Sequence, residues 1–165
     1  MKLDLAAPPI EFIRDRLRYE PDTGHFYMLR SAGRRKVGAR AGYPDRLGYW
    51  KVAINGKWIM AHRLAWRMVH GEWPLYEIDH INGDPSDNRI ENLRNATAPE
   101  NNQNLRMPQK NNKTGVLGVS LDKGMYKAQI CINGKNKNIG RFDTIEKATK
   151  AYIQAKRESH EFCTI

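Results

Sequence analysis

The sequence contains little cysteine and no long apolar segment. Cys131 and Cys163 are the only cysteines in 165 residues, and no Cys-x-x-Cys pair occurs, which argues against a disulfide framework or a cysteine zinc site. No apolar run approaches the roughly 18 to 20 residues that span a bilayer, and the N-terminus lacks the apolar stretch of a signal peptide. We therefore expect a cytoplasmic protein without membrane contact, whose metal ligands, if any, are oxygens or imidazoles.

Acidic residues are few compared with basic ones. The chain has 28 Lys and Arg against 18 Asp and Glu, a formal net charge of +10. Such an excess predicts an anionic partner, and nucleic acid is the first candidate. The excess is uneven: residues 106–165 contain 12 basic and 5 acidic residues, a net +7, which leaves a net +3 for residues 1–105.

Two parts of the chain share one local plan, a strand, Ile-Asn-Gly-Lys, a second strand and a helix. Asn55-Gly56 lies in the first copy and Asn133-Gly134 in the second, and Asn-Gly favours the type I′ turn of a β-hairpin. The length suits one ordinary domain or two small ones. We predict an α+β protein with one module at 1–105, a basic linker at 106–114 and a second module at 115–165.

The segment "EIDHINGDPSDNRIENLRNATAPENNQN" combines an Asp-His pair with many asparagines. Phosphodiester hydrolysis needs a base to activate water and a cation to neutralise charge, and Asp79 and His80 can supply a cation ligand and the base. "TAPE" is a capping box that predicts a helix with Thr97 as its N-cap. Asn101 would then lie in the first turn or so, where its amide oxygen can bind Mg²⁺. From the pattern alone, ordinary turn chemistry is the more common explanation of these residues.

"HRLAWRMVHGEWP" and the segment that follows it resemble the HNH nucleases of the phage and intron homing-endonuclease type, in the ββα-metal superfamily. The resemblance covers roughly residues 10 to 105, with the core motif at 76–105. It implies that Asp79 and Asn101 bind a divalent cation, Mg²⁺, Mn²⁺ or another. It further implies that His80 is the general base and that Asn92 holds the His80 loop. The zinc-binding cysteines of some HNH nucleases are absent, so we expect Ile90, Leu93 and the tryptophans to hold the motif by packing.

His62 and Arg63 follow the first hairpin and are candidates for supporting the transition state. A cationic side chain near the phosphate would stabilise developing negative charge. The alternative is that His62 packs under the hairpin at the start of its helix.

The C-terminal part alternates apolar and polar residues along its middle strand. Tyr126, Ala128, Ile130 and Ile132 fall on one face, which we expect to pack on the following helix, and the other face is left to solvent or DNA. A sheet with a polar, basic face can lie in a DNA major groove.

Residues 115 to about 162, including "IGRFDT", resemble the plant ethylene-response-factor (Apetala-type) DNA-binding domain. Ser120 and Asn138 replace residues that are usually arginine and tryptophan in the plant domains, so the plant target sequence does not carry over. The linker basics Arg106, Lys110 and Lys113 are expected to touch phosphates, which position a protein without specifying sequence. The full set of candidate DNA-binding residues is Arg106, Lys110, Lys113, Ser120, Lys127, Gln129, Asn138 and Arg141.

Together these features predict a metal-dependent endonuclease that acts on double-stranded DNA, with no obligate protein partner evident. One module would cut and the other would choose where. A non-catalytic DNA-binding regulator shares the charge pattern but has no use for Asp79, His80 and Asn101 together. An RNA-binding protein is disfavoured because no aromatic RNP-type strand is present.

Overall fold

A computed structural model describes residues 8–165 and shows a mixed α+β protein. The chain forms two compact units, Met1–Asn95 and Ala96–Ile165. The first contains α1 (Ile10–Arg16), β1 (Leu17–Glu20), β2 (His25–Met28), β3 (Tyr43–Pro44), β4 (Trp50–Ile54), β5 (Lys57–Met60), α2 (Ala61–His70), β6 (Glu77–His80), a 3₁₀ helix (Ile90–Asn92) and β7, which begins at Leu93 and ends at Ala96. The second contains α3 (Ala98–Gln103), β8 (Val119–Asp122), β9 (Met125–Ile132), β10 (Lys135–Phe142) and α4 (Ile145–Ser159).

The first predicted hairpin is present as β4 and β5, which pair antiparallel. Asn55 and Gly56 both have positive φ, 50° and 75°, as a type I′ turn requires. The predicted helix follows directly as α2. It ends at Gly71, whose φ of 77° gives the left-handed C-cap that glycine adopts without strain.

The core of the first unit is formed by residues from the helices and from most of its strands. The apolar face of α2 contributes Ala61, Leu64 and Ala65, all of them buried. Leu93 is part of the same cluster, and Ile90 packs against it together with Trp50, Trp66 and Trp73. This packing brings β6 and β7, which pair with each other, onto the core without zinc-binding cysteines.

The second unit has a three-stranded sheet in the order β10-β9-β8, with antiparallel neighbours. Asn133 and Gly134 form its second positive-φ turn, at 50° and 75°. Ala128 and Ile130 are buried on the face that packs against Ala148 and Tyr152 of α4, as the alternation predicts. Thr97 forms the predicted capping box with Glu100 at the start of α3.

The chain that leaves α3 is bonded to the C-terminal segment. The Asn104 side-chain oxygen accepts from Thr164 Oγ1 at 2.6 Å, and the Gln103 side chain accepts from Phe162 N at 3.3 Å. Lys156, almost fully buried on α4, donates to the Leu105 carbonyl, and burial lowers the pKa of its ammonium group. Residues 103–105 are therefore fixed parts of the second unit; the functional boundaries at 105 and 115 remain predictions.

None of the helices in residues 8–165 is long and apolar enough to cross a membrane.

Candidate active site

Strand β6 ends in the Asp-His pair, and both side chains lie inside the first unit. Asp79 is 6% exposed and His80 is 5% exposed. A loop at 81–89 leads from His80 to the 3₁₀ helix. Polar side chains with so little exposure need hydrogen-bond partners, and the loop provides one of them, Asn88, to His80.

Asn92 ties the two ends of this loop together. Its side-chain oxygen accepts from the backbone N–H of Asn82 at 2.9 Å, and its side-chain nitrogen donates to the carbonyl of Asp87 at 2.8 Å. Its backbone carbonyl accepts from Ile81 N at 2.9 Å. These bonds hold the chain directly after His80, which is the geometry that the positioning role predicted for Asn92 requires.

The His80 ring is bonded to a second asparagine of the loop. His80 Nε2 lies 3.3 Å from Oδ1 of Asn88, at the long end of hydrogen-bond distances. Asn88 is 1% exposed, and its Nδ2 donates to the Ser86 carbonyl at 3.0 Å. The second bond orients the amide so that its oxygen faces the histidine.

The His80 ring has two ring neighbours, His62 and Tyr49. The centroids of His62 and His80 lie 5.1 Å apart, with the rings nearly perpendicular at 85°. Tyr49 lies 5.7 Å from His62 and 5.8 Å from His80. The plane of the His80 ring is therefore limited by two aromatic neighbours as well as by its hydrogen bond.

Burial decides the charge of His62. Desolvation, followed by the charges of His80 and Arg63, lowers the pKa of His62 to about 3, so its imidazole is neutral at pH 7. A neutral ring packs beside His80 but supplies no positive charge to a phosphate. Arg63 Nη1 donates to the carbonyl of Tyr76 at 3.2 Å.

The His80 environment suits a base. Burial lowers the pKa of His80 below its ordinary value, although the Asn88 hydrogen bond and the charges of Asp79, Asp84 and Asp87 oppose that shift. A lowered pKa keeps the imidazole unprotonated at neutral pH. An unprotonated ring nitrogen is the form that removes a proton from water.

Asp79 is engaged by a neighbouring cation. Arg94 on β7 donates Nε to Asp79 Oδ2 at 2.7 Å, with its Nη2 2.6 Å from the same oxygen. Among residues 8–165, no three His, Cys, Asp or Glu side chains cluster as a metal site. A buried carboxylate assisted by an amide oxygen still fits a hard cation such as Mg²⁺, which keeps several waters and binds phosphate oxygens.

The other proposed ligand, Asn101, lies on α3 in the second compact unit. The side chains that meet around the Asp-His pair, those of Asp79, His80, Asn92 and His62, all belong to the first unit.

The predicted DNA-binding residues of the sheet share one face. Ser120 is the cross-strand partner of Lys127, which is in turn the partner of Arg141. Gln129 pairs with Asn138 in the next row. Cross-strand partners point to the same side of a sheet, and this side is opposite to buried Ala128 and Ile130.

The predicted basic DNA-binding residues differ in their side-chain contacts and in their exposure. Arg141 on β10 donates to Asp122 Oδ2 on β8 at 2.6 Å, so its side chain reaches across the middle strand of the sheet. Lys110 and Lys113 are exposed in the segment before β8. Arg106 donates to Thr164 of the C-terminal segment.

Sequence reasoning missed Asn88, Tyr49 and Arg94. Arg94 lies on β7, two residues after Asn92. The alternation of side chains along a strand could have placed Arg94 and Asn92 on the same side of the β6–β7 pair. Asn88 looked like turn material in "SDN". Nothing local marked Tyr49, because its contacts with the two histidines arise from tertiary packing.

Comparison with known proteins identifies the class. Residues 60–103 match the model of the HNH endonuclease family, a span that includes His62, Asp79, His80, Asn92 and Asn101. These residues form an HNH domain, and such a domain implies a nuclease that hydrolyses the phosphodiester bonds of DNA.

A phage relative supports the assignment. Over 102 residues the chain is 34% identical to Protein 3.8 of Escherichia phage T7, a region that covers 60% of this chain and 83% of that protein. The chain therefore belongs to the family of this phage protein, and its residues 60–103 carry the HNH endonuclease domain. No solved structure is significantly similar to it.

Proposed function

We propose that the protein is a divalent-metal-dependent DNA endonuclease of the phage and intron homing type. In this proposal the HNH residues cut the DNA and the C-terminal sheet binds it. The observation that carries the proposal is the buried His80, bonded to Asn88 of the following loop, within the segment that matches the HNH family. A buried, unprotonated histidine next to a carboxylate is suited to activating water.

His80 is the general base in this scheme. An unprotonated ring nitrogen takes a proton from a water molecule, whose oxygen attacks the phosphorus as the bond to the departing oxygen breaks. Asn92 keeps the loop after His80 in place through its bonds to Asn82 and Asp87. The His80 ring can then meet the water in one orientation.

Asp79 and Asn101 would hold the cation. A bound divalent cation supplies positive charge against the phosphate and the departing oxygen. Arg94 holds the Asp79 carboxylate in one orientation through their ion pair, and this pair must be shared or rearranged when a cation binds. His62, neutral beside His80, contributes by packing and not by charge.

The face of the C-terminal sheet that carries Ser120, Lys127 and Arg141 is the proposed DNA-reading surface. Its rows of cross-strand partners combine cations, which neutralise phosphates, with the amides of Gln129 and Asn138, which can bond base edges. Lys110 and Lys113 before β8, with Arg106, add phosphate contacts. As part of the same proposal, the protein acts in the cytoplasm of a phage host.

Incubation of the purified protein with supercoiled plasmid, with Mg²⁺ or with EDTA, tests the activity. Wild type should nick or linearise the plasmid only with the cation. His80→Ala should lose about 10² to 10⁴-fold of the rate, the usual contribution of a general base. His70→Ala is the control, because His70 lies at the exposed end of α2 against Trp66. Near wild-type cutting by His80→Ala would refute the role of His80.

A further inference from the structure

Asn88 links the His80 ring to a distant part of the fold. Its side-chain oxygen faces His80 Nε2, and its side-chain nitrogen is occupied by the Ser86 carbonyl. An amide oxygen only accepts hydrogen bonds. Nε2 must therefore carry the proton of the neutral imidazole, and Nδ1 keeps the lone pair.

Asn88 is itself held by the N-terminal hairpin. The Tyr19 hydroxyl on β1 donates to the Asn88 backbone carbonyl at 2.8 Å. Tyr19 is also packed against Phe26 of β2, with ring centroids 5.0 Å apart. A residue more than 60 positions before Asn88 thus fixes its backbone.

The turn of the same hairpin lies very close to the Asn88 backbone. Gly24 has a φ of 71°, and a Cβ built on it would lie 2.4 Å from Arg89 N and 2.5 Å from the Asn88 carbonyl carbon. Atoms at that separation overlap severely. Glycine is the residue that lets the hairpin turn approach the loop so closely.

We propose that Asn88 is a positioning residue that holds the proton of His80 on Nε2, and that the β1–β2 hairpin keeps Asn88 in place to do so. The proposal rests on the proposed function only in its consequence, which is that Nδ1 of His80 is the atom that accepts the proton of water. It depends on the bond between His80 and Asn88, on the orientation of the amide and on the contacts behind it.

The size of the effect follows from the bond involved. One neutral hydrogen bond shifts an equilibrium about 2- to 12-fold. Loss of the Asn88 acceptor should therefore mix the two tautomers of His80. An equal mixture halves the fraction of protein with the proton on Nε2, so kcat should fall about 2-fold. A wrong histidine tautomer is more costly in the serine-protease triad, where it lowers kcat about 10⁴-fold.

The direct test is the ¹⁵N NMR spectrum of the imidazole nitrogens in the full chain at pH 8, above the ordinary histidine pKa range. Protonated and unprotonated ring nitrogens differ widely in ¹⁵N chemical shift, and His80→Gln assigns the His80 signals by their loss. Wild type should show His80 protonated on Nε2. A wild-type spectrum with the proton on Nδ1 would overturn the proposal without any variant of Asn88.

Substitutions then test the cause. Asn88→Leu, which removes the acceptor at similar size, should give averaged shifts at both His80 nitrogens. Asn82→Ala is the matched control, since it loosens the same loop by removing bonds to Asp84 and Asp87 but leaves the Asn88 oxygen. It should keep the Nε2 proton. An unchanged tautomer in a folded Asn88→Leu protein would overturn the role of Asn88.

The hairpin contribution has its own pair of variants. Gly24→Ala should displace the Asn88 backbone and broaden or shift the His80 signals. Gly56→Ala has nearly the same φ, 75°, but its added Cβ meets no atom within 4 Å, so it imposes the same backbone strain without the collision. Equal His80 spectra in the two alanine variants would remove the hairpin from the proposal.

Cleavage assays on the same samples separate this inference from the proposed function. A tautomer change in Asn88→Leu with a matching loss of kcat supports both. A tautomer change with unaltered cleavage supports the role of Asn88 and refutes His80 as the base.

Discussion

The two compact units differ most in where their polar groups lie. Within its described residues, 8–95, the first unit buries five polar side chains: His62, Asp79, His80, Asn88 and Asn92. The second, Ala96–Ile165, buries only Asn104 and Lys156 among its polar side chains, and these join chain segments to each other.

Net charge, in contrast, is higher in the second unit. Residues 1–95 contain 16 basic and 12 acidic residues, a net +4, whereas the shorter segment 96–165 contains 12 and 6, a net +6. Buried polar groups cost free energy unless they are satisfied, so a unit that collects them is organised around a site. A unit that keeps its charge on an open sheet is organised around a surface.

Each unit contains a salt bridge of the same length, and the two salt bridges differ in how deeply they are buried. Arg94 to Asp79 and Arg141 to Asp122 both have Nη2–Oδ2 distances of 2.6 Å, but the Asp79 side chain is 7% exposed and that of Asp122 is 32% exposed. Removing one partner of a buried pair costs about 3 kcal/mol or more, and an exposed pair contributes about 0 to 1 kcal/mol.

We therefore predict that Arg94→Ala lowers the free energy of unfolding of the first unit by about 3 kcal/mol. All four tryptophans belong to residues 1–95, so urea titration followed by tryptophan fluorescence reports on the unfolding of this unit. Arg141→Ala, followed by far-UV circular dichroism, should change stability by less than about 1 kcal/mol. Equal costs would mean that burial does not separate the two pairs.

The two proposed cation ligands differ in chemistry and can be compared directly. Asp79→Ala should raise the Mg²⁺ concentration for half-maximal cleavage more than Asn101→Ala does, because a carboxylate attracts the cation by charge and an amide by its dipole alone. The Asp79 change should be at least about 10- to 100-fold, the loss typical of residues that merely support a metal ligand. A larger effect from Asn101 would mean that the ligands are misassigned.

Acid should weaken the first unit through His62. Its pKa is about 3 in the folded protein, where burial disfavours the charged form, against an ordinary value near 6.5 when unfolded. The unfolded state therefore binds the additional proton between these values. The stabilisation is complete above about pH 6.5 and declines as the pH falls toward 3.

His62→Phe should keep the ring packing beside His80 and remove this share of the pH dependence. The free energy of unfolding from tryptophan fluorescence, measured between pH 4 and 8, should decline less steeply in the variant than in wild type. Parallel curves would show that His62 is not buried as a neutral ring.

How much the sequence could predict depends on how local each feature is. The Asn-Gly turns and the Thr97 capping box depend on neighbouring residues, and both were predicted at the correct positions. Asp79 and His80 were adjacent and therefore recognisable. Asn88 acquires its role only because a distant hairpin fixes its backbone.

Burial is the other property that the sequence did not reveal. His62 was a candidate cation, but its surroundings leave it neutral. The Arg94–Asp79 pair likewise depends on how β6 and β7 align, and spacing alone did not predict it.

The smallest expected effect concerns the sheet surface. Each phosphate that the protein no longer neutralises should reduce the slope of log affinity against log salt by about 0.9. Lys127→Gln should give a shallower slope in DNA-binding titrations from low to high salt. Lys147→Gln on α4 should not, since its ammonium pairs with Asp143 and α4 packs on the opposite face of the sheet. A slope change in the Lys147 variant alone would place the binding surface on the helix side.

The most direct test of the division between a cutting site and a binding surface measures both activities in two variants. DNA affinity and single-turnover cleavage at saturating protein should be determined for His80→Ala and for Lys127→Gln combined with Arg141→Gln. The first variant should keep its Kd and lose cleavage by about 10² to 10⁴-fold. The second should bind more weakly and cut at the wild-type rate once the DNA is saturated. If His80→Ala loses affinity as well, or the sheet variant loses its saturated cleavage rate, the two units do not divide the work in this way.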